Sequence, residues 1–181
     1  MSNTPGSVPF PTMVVGSLPR PQWIRDLIED RKAGLVTGVE ADRLLDAAIL
    51  SVVRMQERAG LDFVSDGEWR RESYIKVFSD AVGGFEADLI PGGGSTFSVL
   101  AYPAVVSRLS PRHPIAAGEA SFLRGQTDGR IVVAIPSPYT VGRRMWSREH
   151  SRSAYATREE FMEACIPIIN QEIRELARLG V

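Results

Sequence analysis

Apolar positions along this chain alternate between short continuous runs and stripes with a period near 3.6. Residues 12–16 form a short apolar run that reads as a buried strand ending at Gly16-Ser17. Pro19-Arg20-Pro21 then imposes an extended turn and permits a helix start. Trp23, Ile24, Leu27 and Ile28 recur at helical spacing, and Gly34 ends that helix. Thr37 and Glu40 have the spacing of a capping box. Behind them Leu44, Leu45, Ala48, Ile49, Val52 and Val53 make one stripe that stops at Gly60. Residues 61–64 predict the next strand, which breaks at Asp66-Gly67.

Residues 72–82 read as a helix closed by Gly83-Gly84. Residues 85–129 read as an excursion carrying a hairpin. Its marks are the flexible turn Pro91-Gly92-Gly93-Gly94 and the β-prone pieces 97–100, 104–106 and 121–123. A third core strand is expected over residues 130–135, ending in the rigid turn Pro136-Ser137-Pro138. Thr157 and Glu160 repeat the capping-box spacing. The helix behind them carries an apolar face of Phe161, Ala164, Cys165, Ile168, Ile169, Ile173, Leu176 and Ala177, with Pro167 expected to kink it. Gly180 reads as its cap, and Val181 as the first residue of a further strand. Strands alternating with helices predict an α/β fold with a parallel sheet. Long connections between the core strands favour a decorated (β/α)8 barrel, of which 181 residues supply the front portion rather than the typical ~250. Residues 1–11, rich in Pro, Ser, Thr and Gly, read as a disordered lead-in to a domain over 12–181.

Composition narrows the function classes. A net charge of −1 gives no basic surface for nucleic acid or membrane. No apolar run approaches the ~20 residues of a membrane span. The N-terminus lacks the basic start and apolar stretch of a signal peptide. A single cysteine, Cys165, excludes an internal disulfide framework. A cytoplasmic location is the expectation.

Three strand ends carry candidate chemistry. Gly16 allows a ligand close to the backbone, and Ser17 adds a hydroxyl and an amide; a simple strand-to-loop turn would look the same. Ser65-Asp66-Gly67-Glu68-Trp69-Arg70-Arg71 crowds two carboxylates and two arginines at the end of an apolar strand. A carboxylate there can hold a substrate ammonium or act as a base, or it can cap the next helix within a solvated ion-pair cluster. For Glu68 the functional reading is favoured. Ser137-Pro138-Tyr139-Thr140, with Trp146 nearby, offers an aromatic surface for a flat ligand, or simply a core tryptophan. Arg143, Arg144 and Arg148 form a small basic cluster of the kind that usually faces solvent. His113, His150 and Cys165 are scattered, so no metal site is expected within this chain.

Taken in order, these pieces resemble the catalytic C-terminal barrel of the cobalamin-independent methionine synthase family and its short single-barrel relatives. The resemblance rests on Val14-Val15-Gly16-Ser17-Leu18-Pro19-Arg20-Pro21 and on Gln56 ahead of Gly60-Leu61-Asp62. It continues through Asp66-Gly67-Glu68-Trp69-Arg70-Arg71, Gly84-Phe85, Ser107-Arg108, and Ser137-Pro138-Tyr139-Thr140 with Trp146. The ordered set carries the resemblance more than any single motif does.

That resemblance implies a (β/α)8 barrel that transfers a methyl group from methyltetrahydrofolate to the thiol of homocysteine in methionine biosynthesis. Homocysteine would be bound by Val15, Gly16, Ser17 and Glu68, and the folate would lie near Arg108 and Trp146. Trp146 departs from the family's spacing by a couple of residues, and the match around Arg108 is loose. The family's zinc, which turns a substrate thiol into the nucleophilic thiolate, is held by a His-x-Cys, a Glu and a later Cys in the barrel's second half. Those ligands are absent from this sequence, so the chain alone is expected to be inactive. Partners would be the small-molecule thiol and folate, together with self-association or a complementary half-barrel chain. Two alternatives stay open. One is a related thiol or corrinoid-linked methyltransferase with a different acceptor. The other is a non-catalytic fragment or subunit of a split barrel.

Overall fold

The computed structural model describes residues 10–91 and 101–181. The fold is α/β, and the chain divides into two compact units, Met1–Arg70 with Phe122–Val133 and Arg71–Ser121 with Ala134–Val181. Most of the lead-in, the glycine turn at 92–94 and the β-prone piece at 97–100 lie outside the described residues.

In the first unit, helix α1 (Gln22–Lys32) buries Ile24 and Leu27 and carries Arg31 and Lys32 in its last turn, where they oppose the helix dipole. Gly34, at φ +72°, follows its end. Helix α2 (Gly38–Arg58) is capped by the Thr37 hydroxyl, which accepts the Glu40 N–H at 3.2 Å. Its buried face runs Ala41, Leu45, Ala48, Ile49, Val52, Val53 and Gln56. The first half of that face packs on Ile24 and Leu27. The second half packs on Val64, Leu123 and Ile131, and Trp69 touches both groups. Strand β1 (Phe63–Val64) is followed at Asp66-Gly67 by the expected break.

Residues 12–16 do not form the buried strand that their composition suggests. Only Thr12 is engaged: its carbonyl accepts the Asp62 and Phe63 N–H groups at 3.1 Å. Its own N–H and hydroxyl donate to Asp62 Oδ2 at 2.7 and 2.8 Å, which holds the Asp62 carboxyl below its usual range. Beyond Thr12 the backbone leaves that neighbour and rejoins only where Leu18 N–H donates to the Gly67 carbonyl at 3.1 Å. Met13 and Val15 are therefore exposed, Val15 to 85%.

The second unit begins with helix α3 (Lys76–Ala81), shorter than the expected 72–82. Gly83 and Gly84 do not close it; they belong to strand β2 (Val82–Pro91), which pairs antiparallel with β3 (Ala101–Pro111). The sheet captures the helix end, because Val82 pairs with Pro111 and the Arg112 N–H donates to the Ala81 carbonyl at 2.9 Å. Gly84 sits at a register shift with φ +111°, and a Cβ there would meet the Ser107 carbonyl at 2.9 Å. The expected hairpin is present. Residues 121–123, expected as β, instead belong to helix α4 (Ala117–Arg124). Leu123 and Ala120 point inward at helical spacing, so tertiary burial overrides local β preference.

Strand β4 (Arg130–Ile131) pairs parallel with β1, Phe63 opposite Arg130 and Val64 opposite Ile131. It is shorter than the expected 130–135, although the Val132 N–H still donates to the Val64 carbonyl at 3.0 Å. The turn after it opens helix α5 (Pro138–Met145): Ser137 caps it by accepting the Thr140 N–H, and Pro138 takes the first position. Helix α6 (Arg148–Ser151) is one turn. Helix α7 (Arg158–Arg178) runs through Pro167 as a single element, with Thr157 accepting the Glu160 N–H. Phe161, Cys165, Ile169 and Leu176 are its buried face, whereas Ile173 is half exposed. Phe85 packs edge-on against Phe78 and Phe161.

One buried residue of α7 is charged. Glu172 accepts the N–H groups of Ile115, Ala116 and Ala117 at 2.9, 2.7 and 2.7 Å. Those of Ala116 and Ala117 are amides that the start of α4 leaves without helical partners, and that of Ile115 lies just ahead of the helix. Glu172→Leu would strand them under an apolar side chain. The expected cost is at least about 3 kcal/mol, at 1–3 kcal/mol per unmet buried group. Urea unfolding of the two proteins measures it, and a loss under 1 kcal/mol would show that the amides find other partners.

Candidate functional site

The densest polar constellation lies at the end of β1. Gln56, 1% exposed, is the one polar residue on the buried stripe of α2. Its carboxamide accepts the Ser65 N–H at 3.0 Å and donates to the Ser65 carbonyl at 2.7 Å, as a neighbouring strand would. A second donation reaches the Val52 carbonyl at 3.2 Å. The strand end is thus tied to the helix by a side chain that has no water to turn to.

From this anchor the chain reverses. The Ser65 hydroxyl accepts the Gly67 N–H at 3.2 Å, and Asp66 Oδ1 accepts the Glu68 N–H at 2.9 Å. Gly67 has φ +70° and Glu68 φ +58°, so two successive residues are left-handed and the second is not glycine. Gly67 is also tightly packed: a Cβ would meet Leu18 at 3.2 Å and Val52 at 3.3 Å, so one of them would have to give way slightly. Trp69 covers the turn, its indole N–H donating to the Leu18 carbonyl at 3.3 Å.

Glu68 is 5% exposed, and most of its polar atoms are held. Its N–H goes to Asp66, its carbonyl accepts Arg20 Nη2 at 2.6 Å, and Oε2 accepts the Ser17 hydroxyl at 2.6 Å. Oε1 accepts no hydrogen bond from the described residues. Beside it Gly16 turns at φ +74° with no atom within 4 Å of where a Cβ would sit. Of the residues singled out from sequence, Gly16, Ser17 and Glu68 are therefore brought together, with Val15 exposed on the same strip of backbone.

The helix-capping alternative for this acidic motif fails. Helix α3 starts eight residues after Glu68, its N-cap is Ile75, and no side chain caps it. The arginines are ion-paired as that alternative expects: Arg70 bonds the exposed Asp46 and stacks over Phe122. Arg71, with 2% of its side chain exposed, grips Glu119 at 2.6 Å and the Ala134 carbonyl at 2.7 Å.

Arg108 and Trp146 lie in the second unit and converge on Tyr155. The Arg108 guanidinium sits 4.5 Å above the Tyr155 ring and pairs with Glu160 at 3.0 Å. The Trp146 indole N–H donates to the Tyr155 carbonyl at 3.1 Å, and Arg158 lies over the Trp146 ring at 5.7 Å. Tyr155 itself accepts the Leu109 N–H at 2.9 Å. Cys165 is fully buried, and burial pushes its thiol up to about 12, so it is neither a ready nucleophile nor a ready ligand. Among the described residues no three His, Cys, Asp or Glu side chains come together in a metal-holding group. None of the described helices is long and apolar enough to cross a membrane.

Asp66 stood in the sequence as one of two carboxylates at the strand end, and Gln56 and Arg20 as members of matched motifs, but none was assigned a role in the site. Gln56 had a signal, being a polar residue in phase with an apolar stripe. Arg20, between two prolines, had none.

Residues 10–174 match the family model described as the catalytic domain of cobalamin-independent synthase. The methionine synthase of Sulfolobus acidocaldarius is 30% identical over 175 residues, covering 95% of this chain and 49% of that protein. That of Saccharolobus solfataricus is 30% identical, with 94% and 50% covered. The chain thus spans about half the length of the curated relatives it matches. A B12-independent methionine synthase from Shewanella sp. W3-18-1, solved with selenomethionine, superposes with a TM-score of 0.76 at 28% identity, covering 94% of this chain and 49% of that one. A putative vitamin-B12-independent methionine synthase from Listeria monocytogenes shares the fold at a TM-score of 0.71 and 23% identity, with 97% and 50% covered.

The two glycines of the site separate backbone from packing. Gly16→Ala meets open space and should cost only the left-handed penalty of about 1–2 kcal/mol. Gly67→Ala adds contacts with Leu18 and Val52 and should cost about 1–3 kcal/mol more. Urea midpoints of the two variants give the comparison. Equal losses would mean that Leu18 and Val52 move aside freely.

Proposed function

The chain belongs to the cobalamin-independent synthase catalytic-domain family, and from that premise we propose that it binds homocysteine for methyl transfer in methionine biosynthesis. The observation that carries this reading is the state of Glu68. Its carboxylate is buried and fixed by Ser17 through one oxygen, and the other takes no hydrogen bond from the described residues. An α-ammonium is the complement of that oxygen. The exposed backbone of Val15, Gly16 and Ser17 supplies amides for the α-carboxylate beside it. An amino acid so held at both polar ends presents its thiol in a fixed direction, which is what a methyl transfer requires of its acceptor. The Shewanella neighbour, solved with selenomethionine, supports an amino-acid ligand of this shape.

Methyltetrahydrofolate is the donor in this reading, with Arg108 and Trp146 as its contacts. Both side chains are engaged around Tyr155, so folate binding would have to share or displace those contacts. The parallel pairing of β1 with β4 across intervening helices supports a (β/α)8 architecture, and the location proposed is cytoplasmic. Zinc does not fit the residues present. The Cys165 thiol is buried and protonated, His113 Nδ1 bonds the Pro114 carbonyl at 2.9 Å, and His150 Nε2 lies 3.8 Å from Glu149. What the residues around Glu68 contribute is grip and orientation of the amino acid.

Glu68→Gln keeps the shape of the side chain and removes its charge. A charge-assisted bond to an ammonium is worth roughly 1.5–3 kcal/mol, so homocysteine affinity should fall about ten- to a hundred-fold while the fold persists. Calorimetric titration of L-homocysteine into both proteins measures this. Equal affinities would remove Glu68 from the site and the amino-acid reading with it.

A further inference from the structure

We infer that Asp66 is a positioning residue for Glu68: its Oδ1, taking the Glu68 N–H at 2.9 Å, holds that residue left-handed with its carboxylate on Ser17. The inference rests on the homocysteine reading for its purpose, but not for its geometry.

Two local costs fall on adjacent side chains. Glu68 adopts φ +58°, a conformation disfavoured for any residue with a Cβ. Asp66 is 8% exposed, and its second oxygen, Oδ2, is buried with no hydrogen-bond partner among the described residues. A buried carboxylate oxygen left unmet is a local cost, carried here two residues from the left-handed Glu68. Strain maintained at one place by its surroundings is a mark of a working site. The surroundings here are specific. Gln56 fixes Ser65, Ser65 and Asp66 each accept the N–H two residues on, and Arg20 takes the Glu68 carbonyl at 2.6 Å. Among the described residues, only Asp66 accepts the Glu68 amide. Without it, Glu68 is free to rotate towards negative φ, which would swing its carboxylate off Ser17.

A double-mutant cycle on the whole chain tests this. Glu68→Gly removes the left-handed penalty, so its effect on Tm reports how much of that penalty the protein carries. The shift caused by Glu68→Gly is expected to be more favourable with Asp66 present than in the Asp66→Ala background, by about 2–4 °C for a chain of this size. Asp66→Asn, which keeps an acceptor oxygen, should behave as Asp66 does. In parallel, L-homocysteine titration should show affinity at least about tenfold weaker for Asp66→Ala and restored in Asp66→Asn. Equal Tm shifts in the Asp66 and Asp66→Ala backgrounds overturn the inference, whether or not homocysteine binds. Unequal shifts without homocysteine binding to the wild type keep the inference and remove the homocysteine reading instead. Should Asp66→Ala fail to fold, nuclear magnetic resonance of the wild type decides. A positive Glu68 φ and a through-hydrogen-bond coupling from its amide to the Asp66 carboxylate support the inference, and the absence of both overturns it.

Discussion

The carboxamide of Gln56, bonded to both the N–H and the carbonyl of Ser65, is the contact on which the site depends. It occupies the place of a neighbouring strand at the point where β1 ends, and it does so from the buried face of α2. Helix packing therefore fixes the coordinates of the strand end. Ile49 and Val53 press the same helix onto Val64 and Ile131, so the apolar core and the carboxamide set one register between them. Everything beyond Ser65 inherits that register: the Asp66 acceptor, the left-handed Gly67 and Glu68, and the meeting of Glu68 with Ser17. A flexible loop could not hold a glutamate at positive φ; a turn clamped from the core can.

The second unit works on a different principle. Several of its polar groups gather on single residues that serve more than one partner at once. Glu172 satisfies three amides ahead of α4, and Arg71 joins Glu119 to the Ala134 carbonyl. Tyr155 takes Arg108 on its ring face, Trp146 on its carbonyl and Leu109 on its hydroxyl. Charges buried in this way are costly to break once made, because removing one partner leaves the others without hydrogen bonds. Arg108 and Trp146 are thus both oriented by Tyr155.

Much of this was legible in the sequence where one physical signal dominated. The stripes of α1, α2 and α7, the threonine caps at Thr37 and Thr157, and the break at Asp66-Gly67 all follow from periodicity and capping chemistry. The readings that went astray are those where long-range pairing decides. Residues 12–16 have a strand's composition but pair only at Thr12, whereas residues 121–123 have β preference but are carried inward on a helix. Gly83 and Gly84 look like a helix stop and serve instead in a bulged ladder, whose register is set by residues more than twenty positions away. Ser17 and Glu68 could be named as candidates from local motifs. That they touch, and that Asp66 and Arg20 hold Glu68 by its backbone, depends on a turn whose geometry is left-handed at a residue other than glycine. No local pattern announces that.

The central claim is that the Glu68 carboxylate oxygen with no hydrogen bond from the described residues, Oε1, receives an α-ammonium. A crystal structure of the chain grown with L-homocysteine tests it most directly. The account predicts the ligand nitrogen at charge-assisted hydrogen-bond distance, about 2.7–2.9 Å, from Glu68 Oε1, with the Ser17 contact and the left-handed Glu68 retained. Homocysteine bound with its amino group turned away from Glu68, or at another place in the chain, would contradict it.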